Sequence, residues 1–161
     1  MRDVAAKITA RTKAILPVDY SGQPADLDEI MALADAHGCV VIEDAAQGIL
    51  AEYKGRKLGT IGELGCLSFH ETKNVISGEG GALLVNRPDL VDRAEIILEK
   101  GTDRQRLMRG EIDKYTWVDH GSSWVLSDLL AALLVAQFDR FPTIQQRRMA
   151  IWARYNQQLS A

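Results

Sequence analysis

The six residues CVVIED, 39–44, form an unbroken apolar, β-branched run that ends in acid. A run without polar alternation leaves no face for water, so it reads as a strand covered by helices. Upstream, DLDEIMALADAHG sets Leu27, Ile30, Met31 and Ala34 on one helical face. Asp26 reads as its N-cap, acidic residues fill the first turn, and Gly38 reads as its C-cap. KAILPV, 13–18, is a second apolar run, closed by Pro17 and the turn-like DYSGQP. Strand, helix, strand at this spacing is a βαβ unit, which makes the two strands parallel neighbours.

The same reasoning extends along the chain. AEYKGRKLGTIGELG, 51–65, alternates polar and apolar residues around four glycines and reads as a surface hairpin or extended excursion. CLSF, 66–69, and GALLVN, 81–86, are further short strands. RPDLVDRAEIILEKG is a helix with Pro88 in its first turn, an apolar face of Leu90, Ala94 and Ile97, and Gly101 as a stop. Residues 102–126 lack periodicity, carry Trp117 and Trp124, and are longer than a plain connector needs. SDLLAALLVAQFDRF is an apolar helix capped by Ser127 or Asp128, and TIQQRRMAIWARYNQQL reads as a second helix after Pro142. The fold class is therefore α/β, with a mostly parallel sheet and helices on both faces.

Charge and composition limit the function. The net charge of -3 and the pI near 5.6 argue against a general nucleic-acid binder. Arg147-Arg148 reads as a solvated helix face. No apolar run approaches the ~18 residues of a membrane span. The segment MRDVAAKITARTK has no apolar core of the secretory type, so the expected address is the cytoplasm. Cys39 and Cys66 sit in apolar runs and read as buried free thiols, and their spacing matches no metal site.

Two residues carry the chemical interest. Asp44 and Lys73 each follow a strand expected from the sequence, at the carboxyl ends where open α/β sheets bind ligands. A carboxylate at a buried strand end needs a cation or donors. Nearby AAQG supplies Gln47 but no positive charge, so a ligand cation such as a protonated pyridine nitrogen is a candidate. A lysine that attacks carbonyls must spend part of its time as a neutral amine. Pyridoxal phosphate uses this pair, an amine to hold it and an acid for its ring nitrogen. Ser68, five positions before Lys73, and SGEGG just after it could serve the phosphate. Each residue also has a plain reading: a solvated strand-end acid, a surface lysine, and glycines that punctuate a turn. SGEGG does not fit the spacing of a P-loop or dinucleotide site.

VIEDAAQG, SFHETKN and GEGGALLV, in this order and spacing, resemble the sugar-nucleotide aminotransferases of the DegT/DnrJ/EryC1/StrS type. These have the pyridoxal-phosphate-dependent transferase fold, with an aspartate aminotransferase-like large domain. EKGTDRQRLMRGEIDKYTWVDHGSSWVLSD is similar to the branch that makes dTDP-4-amino-4,6-dideoxygalactose with glutamate as amino donor. The resemblance implies that Lys73 is catalytic, holds the cofactor and moves protons. It also implies that Asp44 meets the pyridinium nitrogen, Gln47 the ring hydroxyl and Ser68 the phosphate. In many relatives an asparagine of a G-x-N-x-R pattern reaches the phosphate from a neighbouring subunit. Here GSSWV puts Ser123 at that position and Val125 at the arginine, so Ser123 is carried as a cofactor candidate. His70 faces substrate or packs at its strand end. Dehydratases of the family carry histidine where Lys73 stands, so lysine favours transamination.

The resemblance also implies a homodimer, a dTDP-sugar and glutamate as substrates, and a place in cell-surface polysaccharide biosynthesis such as lipopolysaccharide. It assigns residues 1–141 to part of the cofactor-binding large domain and 142–161 to a helix leading toward a small C-terminal domain. On this reading the chain is the central part of a longer enzyme. The alternative expectation is a non-catalytic remnant or interaction module.

Overall fold

The computed structural model describes residues 1–160. The chain opens with α1 (Arg2–Lys7), β1 (Ala14–Ile15), α2 (Leu27–His37) and β2 (Val40–Asp44). A hairpin of β3 (Glu52–Tyr53) and β4 (Arg56–Lys57) precedes β5 (Leu64–Ser68) and β6 (Gly81–Val85). Then come α3 (Val91–Leu98), α4 (Arg104–Met108) and α5 (Asp128–Leu159).

β1, β2, β5 and β6 form one sheet in that order. β1–β2 and β2–β5 pair in parallel, and β5–β6 pair antiparallel. The expected βαβ unit is thus present, with α2 as its crossover. Gly38 takes φ 64° as its C-cap and returns its N–H to the Asp35 carbonyl. No atom crowds the position of a Cβ there. Gly38→Ala should therefore cost only the left-handed backbone penalty of about 1 kcal/mol, read by urea denaturation.

The core lies between α2 and one face of the sheet. Leu27, Ile30 and Ala34 pack with Cys39, Val41, Ala45, Leu58 and Ile61. Residues 41 and 43 are completely buried, whereas 40, 42 and 44 on the other face are half-buried. Leu16 and Val18, expected in a buried strand, are 62% and 56% exposed. β1 is an edge strand of two residues, and Val18 bridges to Asp44 in phase with that less covered face. The sheet is therefore covered strongly on the α2 side and partly on the other.

Two local expectations change. Residues 102–126 contain the short helix α4, pinned by bridges Glu99–Ser123 and Thr102–Trp117. Pro142 does not divide two helices: α5 runs 32 residues straight through it. Proline there removes one intrahelical N–H donor. α5 has no buried residue, so water can satisfy the carbonyl released in its preceding turn.

Candidate active site

Lys73 sits on the loop 69–80 that joins β5 to β6. Phe69 and Ser77 bracket its ends: Ser77 N–H donates to the Phe69 carbonyl at 2.8 Å, and Phe69 N–H donates to the Gly80 carbonyl at 2.8 Å. Val75 and Ser77 are completely buried and anchor the loop. Gly78 and Gly80 take φ of 91° and 138°, so SGEGG is spent on backbone conformation that side chains resist. Between these anchors Lys73 N–H donates to the His70 carbonyl, and its half-buried side chain lines a cavity of about 450 Å³. That volume suits a small molecule.

Gln47 lines the same cavity, with Ser21, Thr72 and Asn74. Its Oε1 accepts from the Ser21 N–H at 2.8 Å. A backbone N–H can only donate, so the amide oxygen is used and the NH₂ group remains as the free donor. Asp44 ends β2, next to β5, and lies in register with Cys66. Its Oδ1 accepts from the Ala46 N–H at 3.2 Å. Burial, then the Asp44 charge, pushes the Cys66 thiol above its ordinary range, so this half-buried thiol stays protonated. Ser68 ends β5, and its Oγ accepts from the His70 N–H at 3.4 Å, which leaves its own O–H free to donate.

The structure thus brings Lys73 and Gln47 into one cavity and sets Asp44 and Ser68 at the carboxyl ends of the two adjoining strands. Ser123 is different: it is exposed, held against the end of α3 through its bridge to Glu99, and does not line the cavity. The His70 Nδ1 accepts from the Thr72 N–H at 3.2 Å and contacts the Thr72 hydroxyl at 2.9 Å, so that nitrogen is occupied within its own turn. Sequence reading missed Thr72 and Asn74 as walls, although both flank the lysine. It also missed Ser21, whose backbone rather than side chain does the work.

The donor set fits pyridoxal phosphate. An amine, a neutral N–H donor, a strand-end acid and a free hydroxyl are the groups that its aldehyde, ring oxygen, ring nitrogen and phosphate require.

Fold and site together define an α/β domain of the pyridoxal-phosphate-dependent transferase type. The chain belongs to the DegT/DnrJ/EryC1/StrS aminotransferase family, whose pattern matches residues 1–161. The aminotransferases of this family act on sugars and depend on pyridoxal phosphate. The chain is 37% identical over 153 residues to the spore coat polysaccharide biosynthesis protein SpsC of Bacillus subtilis, covering 93% of this chain and 39% of that protein. Among solved structures it superposes on Spr1654 of Streptococcus pneumoniae in its PLP-form, with TM-score 0.80, 26% identity, and 98% of this chain against 44% of that one. It also superposes on DesI, solved in the presence of its TDP-sugar product, with TM-score 0.75, 31% identity, and 88% of this chain against 34% of that one. The chain spans about two fifths of the length of the curated relatives it matches, 42% and 39% for the first two.

Proposed function

We propose that the protein carrying this chain is a pyridoxal-phosphate-dependent aminotransferase that converts a dTDP-4-keto-6-deoxyhexose to the 4-amino-4,6-dideoxyhexose. The product has the galactose configuration, glutamate is the amino donor, and the pathway is cell-surface polysaccharide synthesis in the cytoplasm. The observation that carries this reading is the shared cavity of Lys73 and Gln47 at the carboxyl ends of parallel strands.

When bound, the cofactor acts as the electron sink that lets an amino group leave one carbon and join another. The chain's own residues do the rest. Lys73 would hold the cofactor through its side-chain amine, and its Nζ would take up and return a proton during the transfer. Asp44 would hold the ring nitrogen, Gln47 the ring oxygen through its free N–H donors, and Ser68 the phosphate through its hydroxyl. Ser123 serves the phosphate only if a second subunit brings it there.

Room for the sugar nucleotide lies next door. A cavity of about 800 Å³ shares Ser21, Gln47, Ile49 and Asn74 with the smaller one. Its far wall is α5, where Arg148 hydrogen-bonds the Asn74 Oδ1 and has no carboxylate partner among the described residues. A guanidinium free of acids suits a diphosphate. The exposed apolar residues of α5, such as Leu129 at 84%, support the homodimer. The helix of residues 142–161, which α5 covers as far as Leu159, leads on this reading from the large domain of residues 1–141 toward a small domain.

The test is direct. The intact protein, supplied with pyridoxal phosphate, glutamate and a dTDP-4-keto-6-deoxyhexose, should form 2-oxoglutarate and amino sugar in equal amounts. No turnover with either the glucose- or galactose-configured product series sinks the proposal. Turnover to the glucose-configured sugar corrects only the stereochemistry.

A further inference from the structure

Asp19 is completely buried and closes the turn after β1 in three ways. Its N–H donates to the Asp44 carbonyl at 3.0 Å, and its carbonyl accepts from the Gly22 N–H at 3.1 Å. Its Oδ1 accepts from the Ala25 N–H at 3.1 Å. Inside this turn Ser21 and Gly22 take φ of 56° and 74°. A left-handed serine is costly unless its surroundings hold it there. Here the held serine aims its N–H at Gln47 Oε1. The chain of contacts therefore runs from the Asp19 carboxyl, through the 19–25 turn, to Gln47 at the cavity.

The Asp19 Oδ2 has no hydrogen-bond partner. Among the described residues no cation lies within ion-pair distance of it, and the charged groups that bear on it are Glu43 and Asp44. A buried carboxylate with one donor and two acidic neighbours is disfavoured relative to one in water.

We infer that Asp19 is the positioning residue that sets Gln47 toward the cofactor. The inference rests on the cofactor role proposed for Gln47. Burial first, and the neighbouring Glu43 and Asp44 charges after it, hold the carboxyl above the ordinary range, against the Ala25 N–H that pulls it down. An acid whose folded pKa is raised contributes stability that is complete below its unfolded pKa and is lost as pH rises through the folded value.

Two measurements on the intact protein test this. The first compares denaturant midpoints of the wild type and Asp19→Asn, an isostere of the neutral acid, as pH rises from the ordinary carboxylate range to neutrality. The wild type should lose ground to the variant, and a gap that stays constant with pH overturns the burial of an ionisable Asp19 beside Glu43 and Asp44. The second titrates pyridoxal phosphate through its visible band. Asp19→Asn should keep the wild-type affinity, whereas Asp19→Ala should weaken it by about tenfold, the effect of one hydrogen bond. In a Gln47→Leu background Asp19→Ala should cost nothing further, and additive losses overturn the route through Gln47. If Asp19→Ala does not fold, loss of affinity in Asp19→Asn is still decisive against the inference. A wild type without any band sinks the proposed function and Gln47's part in it, while the pH comparison still decides the state of Asp19.

Discussion

Lys73→Ala in the intact protein should abolish transamination, with a loss on the order of 10³-fold or more, as deletion of a covalent nucleophile does elsewhere. It should also abolish the visible band of the lysine-bound cofactor. The fold should survive. The Lys73 side chain makes no hydrogen bond or ion pair among the described residues, and the loop that carries it is anchored by Phe69, Val75 and Ser77 instead. Removing the amine therefore subtracts chemistry and leaves structure. Lys73 is also the only amine that lines the cavity among the described residues, so nothing nearby can replace it as nucleophile or proton carrier. Lys73→Arg should be equally inactive: it keeps the charge but has no neutral amine to offer near pH 7. The measurements are turnover, the visible spectrum and the circular dichroism melt. A Lys73→Ala protein that keeps the band would refute the assignment.

Glu43→Ala should have the largest effect on stability. The Glu43 carboxyl is completely buried and accepts three backbone hydrogen bonds, from Gly59 at 2.8 Å, Ile61 at 2.6 Å and Gly62 at 2.7 Å. Asn86 holds the same loop from the other side, donating its Nδ2 to the Gly59 and Gly62 carbonyls. Truncation strands three buried N–H donors, each at about 1–3 kcal/mol, and opens a cavity as well. A loss of about 4 kcal/mol or more approaches the whole stability of a typical domain. Glu43→Gln should cost less, because its carbonyl oxygen can still accept while its NH₂ faces a donor. Urea denaturation gives the order, and a Glu43→Ala protein within about 1 kcal/mol of wild type would contradict the three-donor account.

Glu43 explains a glycine as well. A Cβ on Gly65 would collide with the Gly59 backbone, because the 59–62 loop is drawn tight over β5. The hairpin region read from the sequence as an excursion around four glycines is therefore fastened to β2 by an acid 16 to 19 residues earlier.

Much of this protein was legible in its sequence. The βαβ unit, the Gly38 cap, the β5 and β6 strands and the placement of Asp44 at a strand end all depend on neighbours within a few residues, whereas Lys73 lies five residues past β5, inside its loop. Periodicity, β-branching and glycine report such neighbours directly. The continuation of α5 through Pro142 was not legible, because it depends on the solvent around the helix and not on local propensity. Nor was the exposure of Leu16 and Val18 just past β1: LPV has the same apolar character whether or not something covers it.

The three acids near the site show the limit best. LPVD and VIED look alike, each an apolar run closed by aspartate, and the second even carries two acids in a row. The chain order alone set which residues alternate and where the strands end. Only the packed structure decided that Glu43 meets three N–H donors, that Asp19 is sealed in with one, and that Asp44 stays half-buried at the rim. Burial and hydrogen-bond partners come from segments distant in sequence, and the chemistry of a carboxyl group follows its surroundings.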